Sequence, residues 1–326
     1  MQKIIIVGMG NVGATFVNIA LARGMQAEFV FVDKNEEICN AHIHDFQDMV
    51  ALMPRNNSTF RTGTLLEDSK DASIVLIAAS IPAGKDFNDR LALAEANAKL
   101  MKSFGDDLVA SKFKGVVIVA ANPCDVMASI FTYACKIPAK KVISTGTLLD
   151  SARFRKFIAE KFNVSSDSIQ GSVLGEHGAG AVPIWSTLKI ADSSLENILK
   201  SRKIKKEMLP EIEKKTIDEA FYIFSRKGNT QFGIGTSIFE IVDCILNNKR
   251  LIMTIGVMLP KSYNNAGIYT SIPVILGKNG YEYLPLKVSF SDRERKLFEE
   301  STSHMAKVHE EILATLNLNV DLKSNK

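Results

Sequence analysis

The sequence predicts an α/β protein, with a doubly wound parallel sheet in its first part and an α+β part containing antiparallel strands after it. Three observations carry that expectation. Short apolar runs recur through the first 146 residues and are near-continuous rather than alternating, the mark of strands covered on both faces. Helix-length amphipathic segments separate them, as βαβ units require. After residue 146 the rhythm changes and closes on two strand-like runs joined by Asn279-Gly280, a two-residue hairpin signal.

In chain order, strands are predicted at "KIIIVG" (3–8), "EFVFVD" (28–33), "ASIVLIAAS" (72–80), "GVVIVAAN" (115–122) and "KVISTG" (141–146). Helices are predicted over 11–24, 35–52, 87–110 and 125–136. The second part opens with a helix over 148–162, then strands near 169–174 and 182–190 and helices near 205–226 and 233–248. The runs "RLIMTIGVML", "GIYTSIPVIL" and "YEYLPLKV" follow, and a helix over 291–316 ends the pattern. No repeat or low-complexity linker divides the chain. Two domains, 1–145 and 146–326, are therefore expected to share a broad contact with a ligand cleft between them.

Composition narrows the function. A net charge of +4 is small for 326 residues, and the one dense basic run, "LKSRKIKKE" at 199–207, has no interleaved aromatics. It reads as a solvated helix face rather than a nucleic-acid patch. Cys39, Cys124, Cys135 and Cys244 lack paired spacing, so neither a disulfide framework nor a zinc site is expected. The apolar run in "MQKIIIVGMG" ends in glycines too soon for an export signal or a membrane span, and the expected location is the cytoplasm. His42 and His44 in "HIHDF" face solvent or a partner subunit on this reading, since no third metal ligand is evident.

"GMGNVG" places Gly8, Gly10 and Gly13 directly after a strand and at the mouth of a helix, a dinucleotide-binding Rossmann fingerprint. The first glycine permits the tight turn, the second lets pyrophosphate approach the backbone, and the third lets helix and strand pack closely. Asn11 and Val12, between the last two glycines, complete the expected cofactor loop. Asp33 ends the second strand twenty residues beyond Gly13, where an acid can accept the ribose hydroxyls. Its charge disfavours the extra phosphate of NADP, so NAD is the expected cofactor, with the neighbouring Lys34 softening that selection.

"VLGEHGAG" (173–180) sets His177 among glycines and beside an acid, either as a turn that happens to carry a histidine or as a proton donor in need of an orienting carboxylate. "GTLLDSAR" (146–153) puts Asp150 and Arg153 one helical turn apart, which by itself describes a surface salt bridge equally well.

Taken together and in this order, "GMGNVG", "ANPCD", "GTLLDSAR" and "GEHG" resemble the L-2-hydroxyacid dehydrogenases, the family of the L-lactate and L-2-hydroxyisocaproate enzymes, with the malate dehydrogenases as cousins. The likeness runs from Met1 to about Leu316. It implies that His177 is the proton donor and acceptor, oriented by Asp150, and that Arg153 grips the substrate carboxylate. It also implies that Arg90 arrives on a mobile loop to polarise the carbonyl. Asn122 would bond the reacting oxygen and lie near the nicotinamide, and Thr230 would line the substrate pocket. The chemistry needs such groups. A protonated imidazole can stabilise and then quench the alkoxide formed on hydride arrival, and a guanidinium fork holds a carboxylate through two parallel bonds.

The resemblance also frames specificity. The segment "SIPAGKDFND" (80–89) lacks the arginine that malate dehydrogenases place there, its one cation being Lys85. It also lacks the glutamine usual in lactate dehydrogenases. Lactate or a larger aliphatic L-2-hydroxy acid is therefore expected ahead of malate, and Lys85 keeps a dicarboxylate open. Arg155 matches half of a fructose 1,6-bisphosphate site found in some bacterial relatives, but Gln170 stands where its histidine belongs, so little activation is expected. A homotetramer or dimer is implied through the helix over 35–52. The rival reading is a dinucleotide-binding redox sensor that has lost the reaction, which has no need of His177, Asp150, Arg153 and Arg90 together.

Overall fold

The computed structural model of the chain describes residues 1–81, 90–201, 204–286 and 288–318, with side chains described from residue 93 onward in the helix that starts at Arg90. The parallel part comprises β1 (Gln2–Val7), α1 (Asn11–Ala22), β2 (Ala27–Val32), α2 (Glu36–Ala51), β3 (Thr59–Thr62), α3 (Leu65–Asp68), β4 (Ile74–Ile77), α4 (Arg90–Ala110), β5 (Val116–Val119), α5 (Cys124–Tyr133) and β6 (Val142–Ser144). The second part comprises α6 (Leu148–Phe162), β7 (Ile169–Gly175), β8 (Ala181–Ile190), α7 (Leu195–Lys200), α8 (Leu209–Lys227), α9 (Phe232–Leu246), β9 (Leu251–Met258), β10 (Tyr269–Gly277), β11 (Gly280–Tyr283) and α10 (Asp292–Thr315).

The strand order β3-β2-β1-β4-β5-β6 is parallel throughout. It reverses direction between β1 and β4, the switch point at which open α/β sheets bind ligands. Burial explains the continuous apolar runs, since Ile4, Ile5, Ile6 and Ile74 to Ile77 are all fully buried under helices on both faces. The sheet then continues into the antiparallel strands through β6–β9 and β10–β7, each joined by a single residue pair, Ser144 with Gly256 and Ser271 with Gly175. A smaller core gathers under α6 and β8, where Phe154 meets Trp185 edge-on with centroids 4.8 Å apart.

Several elements differ from the sequence expectation. β3, α3 and α7 were not predicted; β3 is a four-residue edge strand, "TFRT", whose only large apolar residue is Phe60, too little pattern to signal a strand. The hairpin between β10 and β11 turns at Lys278 and Asn279, because Gly277 pairs with Gly280, so Gly280 opens β11 rather than closing the turn. The basic run at 199–207 straddles the end of α7 and a 3-10 turn at Lys206–Met208, with α8 beginning only at Leu209, and its residues 202–203 lie outside the described residues. His42 is not turned to solvent, since its Nε2–H donates to the Met9 carbonyl at 3.0 Å and its ring stacks on Phe46.

Candidate active site

The site stands above the two single-pair junctions of the sheet. At its cofactor end, Gly8 (φ +98°) turns the chain from β1 into α1, and a Cβ there would come within 2.5 Å of the Ala79 nitrogen. A Cβ on Gly13 would lie 2.2 Å from the Gly8 carbonyl oxygen, so α1 can approach β1 only at a glycine. At Gly10, by contrast, a Cβ would meet nothing within 4 Å. That open space faces the N-terminus of α1, which no side chain caps, and it suits a pyrophosphate bound by free N–H groups and the helix dipole. Asp33 is held at the end of β2, its Oδ2 accepting from Met9 N–H at 2.9 Å and its Oδ1 from Asn35 N–H at 3.1 Å. Each oxygen keeps a lone pair for a ribose hydroxyl. The residues fit a dinucleotide.

At the other end a cavity of about 310 Å³ is lined by Val12, Asn122, Arg153, His177 and Thr230, bringing together five side chains that the sequence singled out from five separate segments. His177 projects from the loop between β7 and β8. Gly175 turns that loop at φ +85° and Gly178 at φ +149°, so the glycines do fold the chain back on itself. Asp150 lies beneath in the first turn of α6, 4 % exposed. Its Oδ2 is 2.6 Å from His177 Nδ1, and its Oδ1 accepts from Arg153 Nη1 at 3.0 Å.

Electrostatics follow from this arrangement. Burial on its own pushes the His177 imidazole down, but the hydrogen bond and charge of Asp150, and then the charge of Asp125, outweigh it, so the ring is raised above the ordinary histidine value. For Asp150 burial works upward, while His177 and then Arg153 prevail and hold the carboxyl below its usual range. Imidazolium and carboxylate therefore stabilise each other. Arg153, 6 % exposed, spends one N–H on Asp150 and retains others for a ligand.

The structure does not bring in every expected residue. Lys85 lies outside the described residues, and the Arg90 side chain is likewise outside them, although Arg90 begins α4. Arg155 donates to the Gly171 carbonyl at 3.3 Å, and Gln170 is exposed beside it. Among the described residues no group of three or more His, Cys, Asp or Glu is placed to hold a metal. Sequence reasoning missed Phe221 and Phe224 of α8 and Ile234 of α9, which also line the cavity. Phe221 is 73 % exposed and Phe224 56 %, an excess of bare aromatic surface that only the tertiary fold assigns to a cavity. Asp125 was missed as well, although it is the sole charge in the α5 sequence "CDVMASIFTY", and that isolation was its signal.

Residues 2–144 match the lactate/malate dehydrogenase NAD binding domain, and residues 147–316 match the lactate/malate dehydrogenase alpha/beta C-terminal domain. The chain belongs to the lactate/malate dehydrogenase family. It is an NAD-dependent oxidoreductase of that family, and its cofactor is NAD. An L-lactate dehydrogenase of Mycoplasmopsis pulmonis is 40 % identical over 94 % of this chain and 96 % of its own. One of Mycoplasmoides gallisepticum is 37 % identical over 96 % and 98 %. Among solved structures, the minor L-lactate dehydrogenase of Enterococcus mundtii superposes with a TM-score of 0.90 at 31 % identity, covering 95 % of this chain and 98 % of that one. Malate dehydrogenase of Plasmodium falciparum superposes at 0.89 with 24 % identity over 97 % and 100 %, which speaks for the shared fold. No helix among the described residues is long and apolar enough to cross a membrane.

Proposed function

We propose that the protein is an L-lactate dehydrogenase that interconverts pyruvate and L-lactate, with His177 as the proton donor and acceptor. The observation that carries this is the 2.6 Å contact of Asp150 with His177 Nδ1 in a carboxylate that also holds Arg153, all beside one cavity. When bound, NADH supplies the hydride. Arg153 grips the substrate carboxylate with the N–H groups that Asp150 leaves free, fixing the keto carbon in one orientation. His177 turns Nε2–H toward the keto oxygen, since Nδ1 is committed to Asp150, and gives up that proton as negative charge develops. The ring's raised pKa keeps it charged to a higher pH than an ordinary histidine. Reduction therefore persists until pH rises through that value, above which the neutral ring favours the reverse reaction. Asn122 bonds the same oxygen beside the nicotinamide, Thr230 bounds the pocket, Arg90 is assigned to polarising the carbonyl, and Lys85 to substrate binding.

Phe221 and Phe224 favour a second reading of the substrate. Bare aromatic surface over the cavity suits an apolar substituent larger than methyl, as in 2-oxoisocaproate. We assign residues 1–145 to cofactor binding and 146–326 to substrate binding and proton transfer. All four cysteines are free and buried, in keeping with a reducing cytoplasm.

NADH oxidation followed with pyruvate, 2-oxoisocaproate and oxaloacetate decides among these substrates, with pyruvate or 2-oxoisocaproate expected to be turned over far faster than oxaloacetate. His177→Gln is expected to lower kcat by more than about 10²-fold, the scale of general acid catalysis, while NADH binding holds. Full turnover in that variant rules out the proton-donor role.

A further inference from the structure

We propose that Asp125 is a positioning residue for the proton donor, its carboxylate lying beneath the 175–178 loop, holding the main chain of His177 and placing a second negative charge beside the ring. This rests on His177 being the proton donor. Asp125 is 2 % exposed in the first turn of α5. Its Oδ1 accepts from the Ser144 hydroxyl at the end of β6, and its Oδ2 accepts from the His177 N–H at 3.5 Å. The space is built to admit it. A Cβ on Gly256 of β9 would sit 2.1 Å from Asp125 Oδ1 and 1.9 Å from Ser144 Oγ, so the facing strand is bare where the carboxylate lies. A seam that needed closing only by packing would be filled by an apolar side chain at less cost than a buried acid.

The groups facing Asp125 leave His177 as its cationic partner. Cys124, beside it on α5, is pushed far up, first by burial and then by the Asp125 charge, so its thiol is neutral. His309 on α10 is pushed down to about 4 by burial, with Nδ1–H donating to the Met305 carbonyl at 2.8 Å and Nε2 accepting from Tyr269 N–H at 3.1 Å, so it too is neutral. Glu176, on the same loop as His177, adds negative charge. Burial pushes the Asp125 carboxyl up to about 6, while Ser144 and His177 pull it down. Asp125 is therefore ionised at neutral pH and becomes neutral as pH falls below that value. Asp150 anchors the ring at Nδ1, and Asp125 anchors the chain that carries it.

Asp125→Asn separates charge from structure. The amide oxygen accepts from His177 N–H and the amide nitrogen donates to Ser144 Oγ, so both hydrogen bonds persist without the charge. The readout is the NMR titration of the His177 ring, its resonance assigned by its loss in His177→Gln. The expected result is a midpoint lower by about half a pH unit or more in Asp125→Asn. On the basic side kcat/KM for pyruvate falls about threefold with it, while the Kd for NADH is unchanged. A titration that superposes on the parent's overturns the proposal. Should Asp125→Asn not fold, reciprocity supplies the second test, because a charge that raises the ring must itself be lowered by it. In His177→Gln an aspartate carboxyl titrating near 6 in the parent must move up by carboxyl NMR, and no movement overturns the proposal. Turnover surviving in His177→Gln sinks the proton-donor reading itself. An inactive His177→Gln with an unmoved ring titration in Asp125→Asn sinks the positioning role alone.

Discussion

Asp150 divides its two oxygens between the two groups proposed to touch substrate, His177 through Oδ2 and Arg153 through Oδ1. A buried carboxylate between two cations tolerates poorly the loss of geometry on either side. Arg153→Lys retains the charge but replaces a planar fork with a single ammonium, which cannot hold Asp150 and a substrate carboxylate in parallel bonds. Loss of one charge-assisted bond is worth about 1.5–3 kcal/mol, so KM for pyruvate is expected to rise at least about tenfold with the NADH affinity little altered. A KM equal to the parent's removes Arg153 from the carboxylate clamp. The i, i+3 spacing of Asp150 and Arg153 was legible in the sequence, because helical periodicity alone places them on one face. That their partner is His177, and that Asp125 approaches the same loop from helix α5, was not, because the separations of 27 and 52 residues carry no local pattern.

At the scale of elements, β1 and α1 were read nearly to the residue, since the glycine spacing and the apolar run each leave a strong local mark. What the spacing could not state is how tightly the two pack. Gly13→Ala puts a methyl 2.2 Å from the Gly8 carbonyl and must displace α1 from β1. An overpacked contact of this kind costs about 1–3 kcal/mol, and the shifted helix N-terminus holds pyrophosphate less well. The stabilisation that saturating NADH confers in a thermal scan, about 2.7 kcal/mol at a hundred times Kd, is expected to shrink markedly in the variant at the same NADH concentration. An unchanged shift contradicts the assignment of this turn to the cofactor. β3, α3 and α7 escaped the sequence because each is four to six residues long, and elements so short owe their conformation to neighbours rather than to their own pattern.

For the whole molecule, α2 leaves Ile38 45 % exposed, and Leu52 just beyond its end is 87 % exposed, although α2's other face packs Cys39 and Phe46 into the core. Exposed apolar side chains flanking a packed helix suit an interface with a second copy. A dimer or tetramer is expected by sedimentation, and Ile38→Asp is expected to shift it toward monomer while leaving the NADH affinity intact. A parent protein that sediments only as a monomer ends the proposal. The same view shows the active site standing where the sheet is continuous by single residue pairs, Ser144 with Gly256 and Ser271 with Gly175. There the backbone ladder gives way and side chains such as Asp125 take its place.

The sequence by itself determined the parallel and antiparallel halves, the dinucleotide turn at Gly8 to Gly13 with Asp33, and the residue types of the candidate acid–base set, because periodicity, turn chemistry and motif spacing are local properties of a chain. Only the tertiary structure decided that His177 sits on Asp150 rather than in an idle turn, that Phe221 and Phe224 face a cavity, and that Asp125 lies under the loop. Those facts arise where distant segments are pressed into one low-dielectric space, and the energy of a charge or an aromatic ring there depends on neighbours that the order of residues does not name.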